Sequence, residues 1–252
     1  MPDGPLEDPI AEAGRIAEAA KKAGVKVKLL GGAGIHLHSP SATRPPLKRK
    51  YGDLDYAISK KDRKGVLALF PSLGYEANDR FNLMNGDSRL YFYDNGHSRQ
   101  VDIFIDVFKM SHVIDLRGRL EHDGPCASPA DLLLSKLQIY EINRKDLIDA
   151  IALVLDHAIG DGDEAIDARY LARLACEDWG LCRTVQLNIP KLLQTLDELE
   201  VDHELVRSRI AEIKAAIDAG PKPLKWKLRA QVGDRLQWYE LPEEVRSPYQ
   251  PE

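Results

Sequence analysis

Two aspartates one residue apart, Asp53 and Asp55, stand in a short run that otherwise reads as a buried strand, Gly52-Asp53-Leu54-Asp55-Tyr56-Ala57-Ile58. Alternate residues of a strand share a face, so the two carboxylates project side by side. Like charges that close repel unless a proton or a cation intervenes. A hard divalent cation such as Mg2+ answers this, because it prefers carboxylate oxygen. The competing reading is a pair of solvated surface acids, and the flanking stretches decide between the two.

A third acid comes from Val-Asp-Ile-Phe-Ile-Asp-Val-Phe at 101–108. As a strand it turns Val101, Ile103, Ile105 and Val107 to one face and Asp102, Phe104 and Asp106 to the other. At a rise of about 3.3 Å per residue the two acids lie about 13 Å apart. Paired catalytic metals are only about 4 Å apart, so both acids cannot serve one such pair. Asp102, at the start of the buried segment, is the candidate; Asp106 is the reserve.

Upstream, Gly31-Gly32 ends a strand over 25–30 and precedes one or two helical turns over 33–38. Such a pair can serve as a tight turn. It can also let backbone N–H groups approach a phosphate at a helix N-terminus. The polar, proline-bearing loop 39–50 carries Arg44, Lys48, Arg49 and Lys50 just before the acids. It reads as a solvated charge run or as a basic flap over a polyphosphate. His36 is within reach of the glycine turn, but it, His38 and His112 suit packing or capping.

These residues need elements to hold them. Helical spacing and a closing Gly24 predict a helix over 6–23. A further helix is expected over 61–69, and strands over 81–84, 90–93 and 101–108 with turns at Asn85-Gly86-Asp87 and Asn95-Gly96. After Gly124-Pro125 the chain turns helical. Ser128, Pro129 and Asp131 form a helix start, with Asp131 serving the cap. The helix that follows buries Leu133, Leu134, Leu137 and Tyr140 with Lys136 beside them. Helices are expected over 145–157, 166–177, 192–199 and 204–219; Asp146 and Asp149 near the start of the first suit its dipole. In 221–252, Lys225, Lys227 and Arg229 alternate with Trp226 and Leu228 in strand-like fashion. That segment reads as an amphipathic hairpin on the body or as an RNA-contacting surface.

The whole chain of 252 residues has a net charge of -5, which does not mark a general nucleic-acid binder. Cys126, Cys176 and Cys182 have no metal-type spacing, and an odd count suits a reducing cytoplasm. The acidic N-terminus is unlike a signal peptide. No apolar run approaches the roughly 20 residues that span a bilayer, so no membrane partner is expected.

The ordered set of LLGG at 29–32, DLDYAI at 53–58 and VDIFID at 101–106 resembles the nucleotidyltransferase superfamily of DNA polymerase β-like fold. DLLLSKLQIYEINRKDLIDAIAL is similar to the later motifs of the AbiEii-like bacterial abortive-infection nucleotidyltransferases. The resemblance covers roughly residues 25–157. It implies an α/β (α+β) chain with a nucleotidyltransferase-fold mixed sheet and flanking helices over 1–127. A helical domain over 128–220 completes the nucleotide site, and a short β-like basic and aromatic segment follows over 221–252. It implies transfer of an NMP from an NTP to an acceptor hydroxyl, with Asp53, Asp55 and Asp102 holding two Mg2+ ions. Gly31 and Gly32 would hold the triphosphate, with Arg49, Lys136 and Lys145 as further nucleotide contacts. Arg144, Lys145, Asp146 and Asp149 match the Arg/Lys-Asp-x-x-Asp segment. The acceptor stays open between small molecule, RNA and protein. The alternative is an inactive relative that senses a nucleotide or binds a partner. Tyr51, where a threonine is common, and the long, proline-bearing connection from Gly32 to Asp53 depart from the pattern.

Overall fold

The computed structural model describes residues 4–241. Its first part runs α1 (Pro9–Ala23), β1 (Lys28–Leu29), α2 (Gly31–His38), β2 (Leu54–Ile58), α3 (Arg63–Ser72), β3 (Glu76–Ala77), α4 (Asp79–Asn85), β4 (Arg89–Asp94), β5 (Arg99–Ile105), β6 (Val107–Lys109) and β7 (Val113–Asp115). The second part is helical: α5 (Pro129–Leu137), α6 (Arg144–Asp156), α7 (Ala168–Glu177), α8 (Trp179–Leu196), α9 (His203–Ala219) and α10 (Leu224–Val232).

The main sheet has the order β1-β2-β5-β4-β3, with β6 and β7 as a separate hairpin. It is mixed: β2 and β5 are parallel, and the other pairs are antiparallel. The mixed sheet with flanking helices and a following helical part is the expected architecture. Leu54, Tyr56 and Ile58 face α1 and α3, in a core with Leu90, Phe92, Val101 and Ile103. The opposite face gives Ala57 and Phe104 to a second core shared with α2, α5, α6 and the later helices. Asp55 and Asp102 have the parity of Ala57 and Phe104, so strand alternation alone turns them toward the helical part. Outside the edge strand β1, Leu29 N donates to Pro125 O (2.8 Å) and Ala127 N to Leu29 O (3.0 Å). The chain leading into α5 thereby covers an edge that would otherwise offer unpaired backbone groups.

Four expectations are corrected. The strand expected at 81–84 is α4; Asn78 caps it, its side chain accepting from Phe81 N (3.0 Å). The strand expected at 101–108 breaks at Asp106, which takes φ 60°, and its Oδ1 accepts from Lys60 N (2.9 Å). The helix expected at 192–199 is α8, beginning at Trp179 where Asp178 accepts from Gly180 N (2.7 Å). Pro190 sits inside it. The alternating basic stretch after 221 is the helix α10, not a strand. Trp226 leans back from it to donate to Ala175 O (3.0 Å). The rest of the expected segment, 242–252, lies outside the described residues.

Candidate active site

Strands β2 and β5 bring two of the acids together. Asp55 and Asp102 are direct partners in the parallel register, on strands spaced about 4.8 Å apart. Asp53, exposed, immediately precedes β2. Burial, then the charges of Asp53 and Asp102, push the Asp55 carboxyl up to about 8, while Lys136 and Arg89 pull it down. Burial likewise raises Asp102, against the pull of Arg89 and with Asp53 adding to the rise. The three predicted acids therefore share one electrostatic field.

Asp102 is already engaged. Arg89 at the start of β4 donates from Nε to both carboxylate oxygens (2.7 and 3.0 Å) and from Nη2 to Oδ2. Sequence reasoning missed Arg89. The alternation Arg-Leu-Tyr-Phe-Tyr along β4 carries the signal, since it turns Arg89 and Tyr91 to the face of Asp102, the register partner of Tyr91. Among the described residues, no group of three His, Cys, Asp or Glu side chains stands in a metal-holding arrangement. The donor chemistry nevertheless suits a hard cation: Lys136 and Arg89 offset only part of what burial and two acidic neighbours impose on the half-buried Asp55 carboxylate.

The glycine bend lies against this group. Gly31 has φ 58°, and a Cβ on it would fall 2.2 Å from Asp55 Oδ2. Only glycine admits both the conformation and the approach. Leu30 N donates to Asp55 O (2.7 Å), tying bend to strand. The two glycines form the first turn of α2 itself, and no side chain caps its N-terminus. A Cβ on Gly32 would fall 1.8 Å from Arg49 Nη2. The second glycine therefore makes room for the arginine.

Arg49 does not point free. It forms a fork on Asp149, Nε to Oδ1 at 2.7 Å and Nη2 to Oδ2 at 2.6 Å. It also lies over the Tyr51 ring at 4.3 Å. Lys136 from α5 donates to Asp146 (2.8 Å) and pairs with Asp149 (3.1 Å). Burial disfavours the Lys136 ammonium, but Asp149 and Asp146 outweigh it and hold the group above its ordinary value. Two cations and two acids thus form a neutral, buried network. Asp146 and Asp149, read from sequence as dipole acids, are its anchors. Lys145 is exposed and has no ion pair among the described residues. One residue before Asp146, it lies about 100° round α6 and does not join the network.

The remaining candidates have other occupations. The reserve acid Asp106 lies at the far end of β5, in the bend. His36 contacts the Tyr51 ring edge-on (5.2 Å). His38 meets His157 (5.4 Å), and His112 pairs with Thr184 Oγ1 (2.8 Å). The three cysteines are buried and free. Burial pushes the Cys126 thiol up to about 12 and the Cys182 thiol up to about 11.

No protein-family model and no curated protein matches the chain. Among solved structures, an antigenic nucleotidyltransferase-like protein from Paracoccidioides brasiliensis aligns over 87% of this chain and 96% of its own, at 15% identity and TM-score 0.41. The antibiotic-resistance factor ANT(2'')-Ia aligns over 83% and 93%, at 12% identity and TM-score 0.37. JHP933 from Helicobacter pylori aligns over 90% and 97%, at 14% identity and TM-score 0.36. Likeness at this level carries no argument about the chemistry of this chain, which rests on its own residues. No helix among the described residues is long and apolar enough to cross a membrane.

Proposed function

We propose that this chain is a metal-dependent nucleotidyltransferase that moves an NMP from an NTP to an acceptor hydroxyl. One observation carries the reading: Asp55 faces Asp102 across parallel strands, directly against the sharply bent Gly31 at an uncapped helix start. The acceptor oxygen attacks the α-phosphorus, the bond to the bridging oxygen breaks, and pyrophosphate leaves. The backbone N–H groups of Gly31 and Gly32 bind the β- and γ-phosphates, where the positive end of α2 favours an anion. Asp102 helps take the proton of the acceptor hydroxyl. Asp53, Asp55 and Asp102 would hold two Mg2+ ions, whose charge stabilises the attacking and leaving oxygens. Arg49 and Lys136 act mainly by position: locked onto Asp149 and Asp146, they fix α5, α6 and the glycine turn.

The reading extends to the resembled AbiEii-like group and to a catalytic part over 1–127 completed by helices over 128–220. It places the enzyme in the cytoplasm, with the acceptor a small molecule, RNA or protein. Contact of the segment after 221 with RNA belongs to the same proposal. A second reading, a nucleotide sensor without turnover, is favoured by one observation, the Arg89 fork that occupies Asp102.

The test is transfer of label from each α-labelled NTP, with Mg2+, to pooled small molecules, RNA and protein. Label lost in Asp53→Ala/Asp55→Ala supports the enzyme. Equal signal from wild type and that variant overturns it. Tight NTP binding without Mg2+, and no pyrophosphate release with any acceptor, would establish the sensor.

A further inference from the structure

We infer that Arg89 is a latch: it holds Asp102 out of the metal-binding set in the resting protein and hands it over when a nucleotide triphosphate arrives. This rests on the proposed nucleotidyl-transfer site.

The contact is built rather than incidental. Asp102 is buried, and three donor contacts from one guanidinium take up both its oxygens. A planar fork on a carboxylate is the strongest kind of charge-assisted hydrogen bond available to these side chains. The guanidinium lies over Phe104 (5.0 Å) and Phe81 (5.9 Å), which limit its freedom. Its backbone is pinned, since Ile105 N donates to Ser88 O (2.9 Å) just before it. The neighbouring α4 is fixed by Asn82, whose Nδ2 donates to Tyr91 O (3.1 Å) and whose Oδ1 accepts from Tyr91 N (2.7 Å).

The side chain itself retains a way out. It is one-fifth exposed, whereas the Asp102 side chain is 12% exposed. Release therefore needs a change of Arg89 rotamer and no strand movement. The guanidinium takes up part of the lone-pair capacity of both Asp102 oxygens and neutralises their charge, which weakens the carboxylate as a metal ligand, so Arg89 and a metal ion compete for Asp102. An incoming triphosphate supplies both halves of the exchange. It brings oxygens that match the guanidinium fork, and it brings the charge that makes a metal at Asp102 favourable. The same ion pair that favours a sensor reading thus becomes a device that keeps the third acid unavailable until substrate is present.

The test is Mn2+ binding to metal-stripped protein, followed by electron paramagnetic resonance of free Mn2+ without nucleotide. Wild type, Arg89→Ala, Arg89→Lys, Asp102→Asn, Arg89→Ala/Asp102→Asn and Asp53→Asn/Asp55→Asn are compared, each after a melting curve confirms folding. Arg89→Ala should bind Mn2+ on the order of ten-fold more tightly than wild type, the size expected when a competing interaction is removed. That gain should vanish when Asp102 is also Asn. Lysine keeps the charge without the fork, so Arg89→Lys should fall between wild type and alanine, and it decides the matter if Arg89→Ala does not fold. Unchanged or weaker Mn2+ binding by the folded Arg89 variants, with binding still lost in Asp53→Asn/Asp55→Asn, overturns the latch and leaves the site reading standing. No Mn2+ binding by any variant, with or without nucleotide, overturns both.

Discussion

Replacing Asp55 by Asn should stabilise the metal-free protein while removing its proposed activity. The folded carboxyl is pushed up to about 8 from its ordinary 3.8. Between those values the folded protein holds a proton that the unfolded chain has lost, so stability falls as pH rises through the window. At pH 7 the span is about 3 pH units, and each unit corresponds to about 1.4 kcal/mol, giving an upper bound of about 4 kcal/mol. Asp55 is only half-buried, and water penetration reduces the figure to about 2–4 kcal/mol. Asparagine keeps the shape and cannot ionise. In a chain of this size that is roughly 5–10 °C in melting temperature. The assay is thermal unfolding in EDTA from pH 4 to 9. The gap between Asp55→Asn and wild type should be small at pH 4, grow to pH 8 and then level off. Adding Mg2+ and NTP should raise wild type and not the variant, because only a bound ligand stabilises by mass action. An Asp55→Asn protein no more stable than wild type at pH 8, or a gap that ignores pH, would refute the crowding of acids at this point.

Three further outcomes are expected from the same geometry. Gly31→Ala should cost at least about 1–2 kcal/mol from its left-handed conformation alone and abolish NTP binding in calorimetry, because its methyl displaces Asp55. Arg49→Ala should cost about 2–3 kcal/mol in urea unfolding, less than the full loss of a buried pair, since Lys136 still serves Asp149. Trp238→Ala should cost about 1–3 kcal/mol and expose the preceding helix to limited proteolysis. Trp238 donates to Thr184 Oγ1 (3.1 Å) and packs edge-on against Tyr140 and Trp179.

The acids and the bend were legible because they obey local rules. Period-two alternation set Asp55 with Ala57 and Asp102 with Phe104, and the parallel register of β2 and β5 made these one face. A glycine pair between strand and helix has few structural uses, and Gly31 shows the close approach that only glycine permits. The α5 start was legible for the same reason: Ser128 Oγ accepts from Asp131 N (3.3 Å). Arg119 adds a contact to Asp131 (2.6 Å) that no local pattern announces.

What stayed hidden depends on distant partners. Arg89 matters because β4 pairs with β5, and one strand alone does not announce its neighbour. Asp149 looked like a dipole acid because its partners, Arg49 and Lys136, lie far away in sequence. The basic residues after 221 alternate as a strand would, yet Trp226 has a buried carbonyl to reach on α7, and packing decided for helix. At α4 the cap, Asn78, is a residue type that also marks turns, and Phe-Asn-Leu-Met suits either period. Leu83 and Met84, 88% and 74% exposed, bury too little to settle the matter from pattern alone.

The central claim is that Asp53, Asp55 and Asp102 hold metal beside a triphosphate seated on the first turn of α2. The most direct measurement is a crystal structure with Mn2+ and a non-hydrolysable NTP, with anomalous scattering to locate the metal. The account predicts anomalous peaks within coordination distance of all three acids, the β- and γ-phosphates on the N–H groups of Gly31 and Gly32, and Arg89 turned away from Asp102. Metal and nucleotide bound elsewhere, or a nucleotide on the bend with Asp102 still gripped by Arg89 and no metal at Asp55, would contradict it.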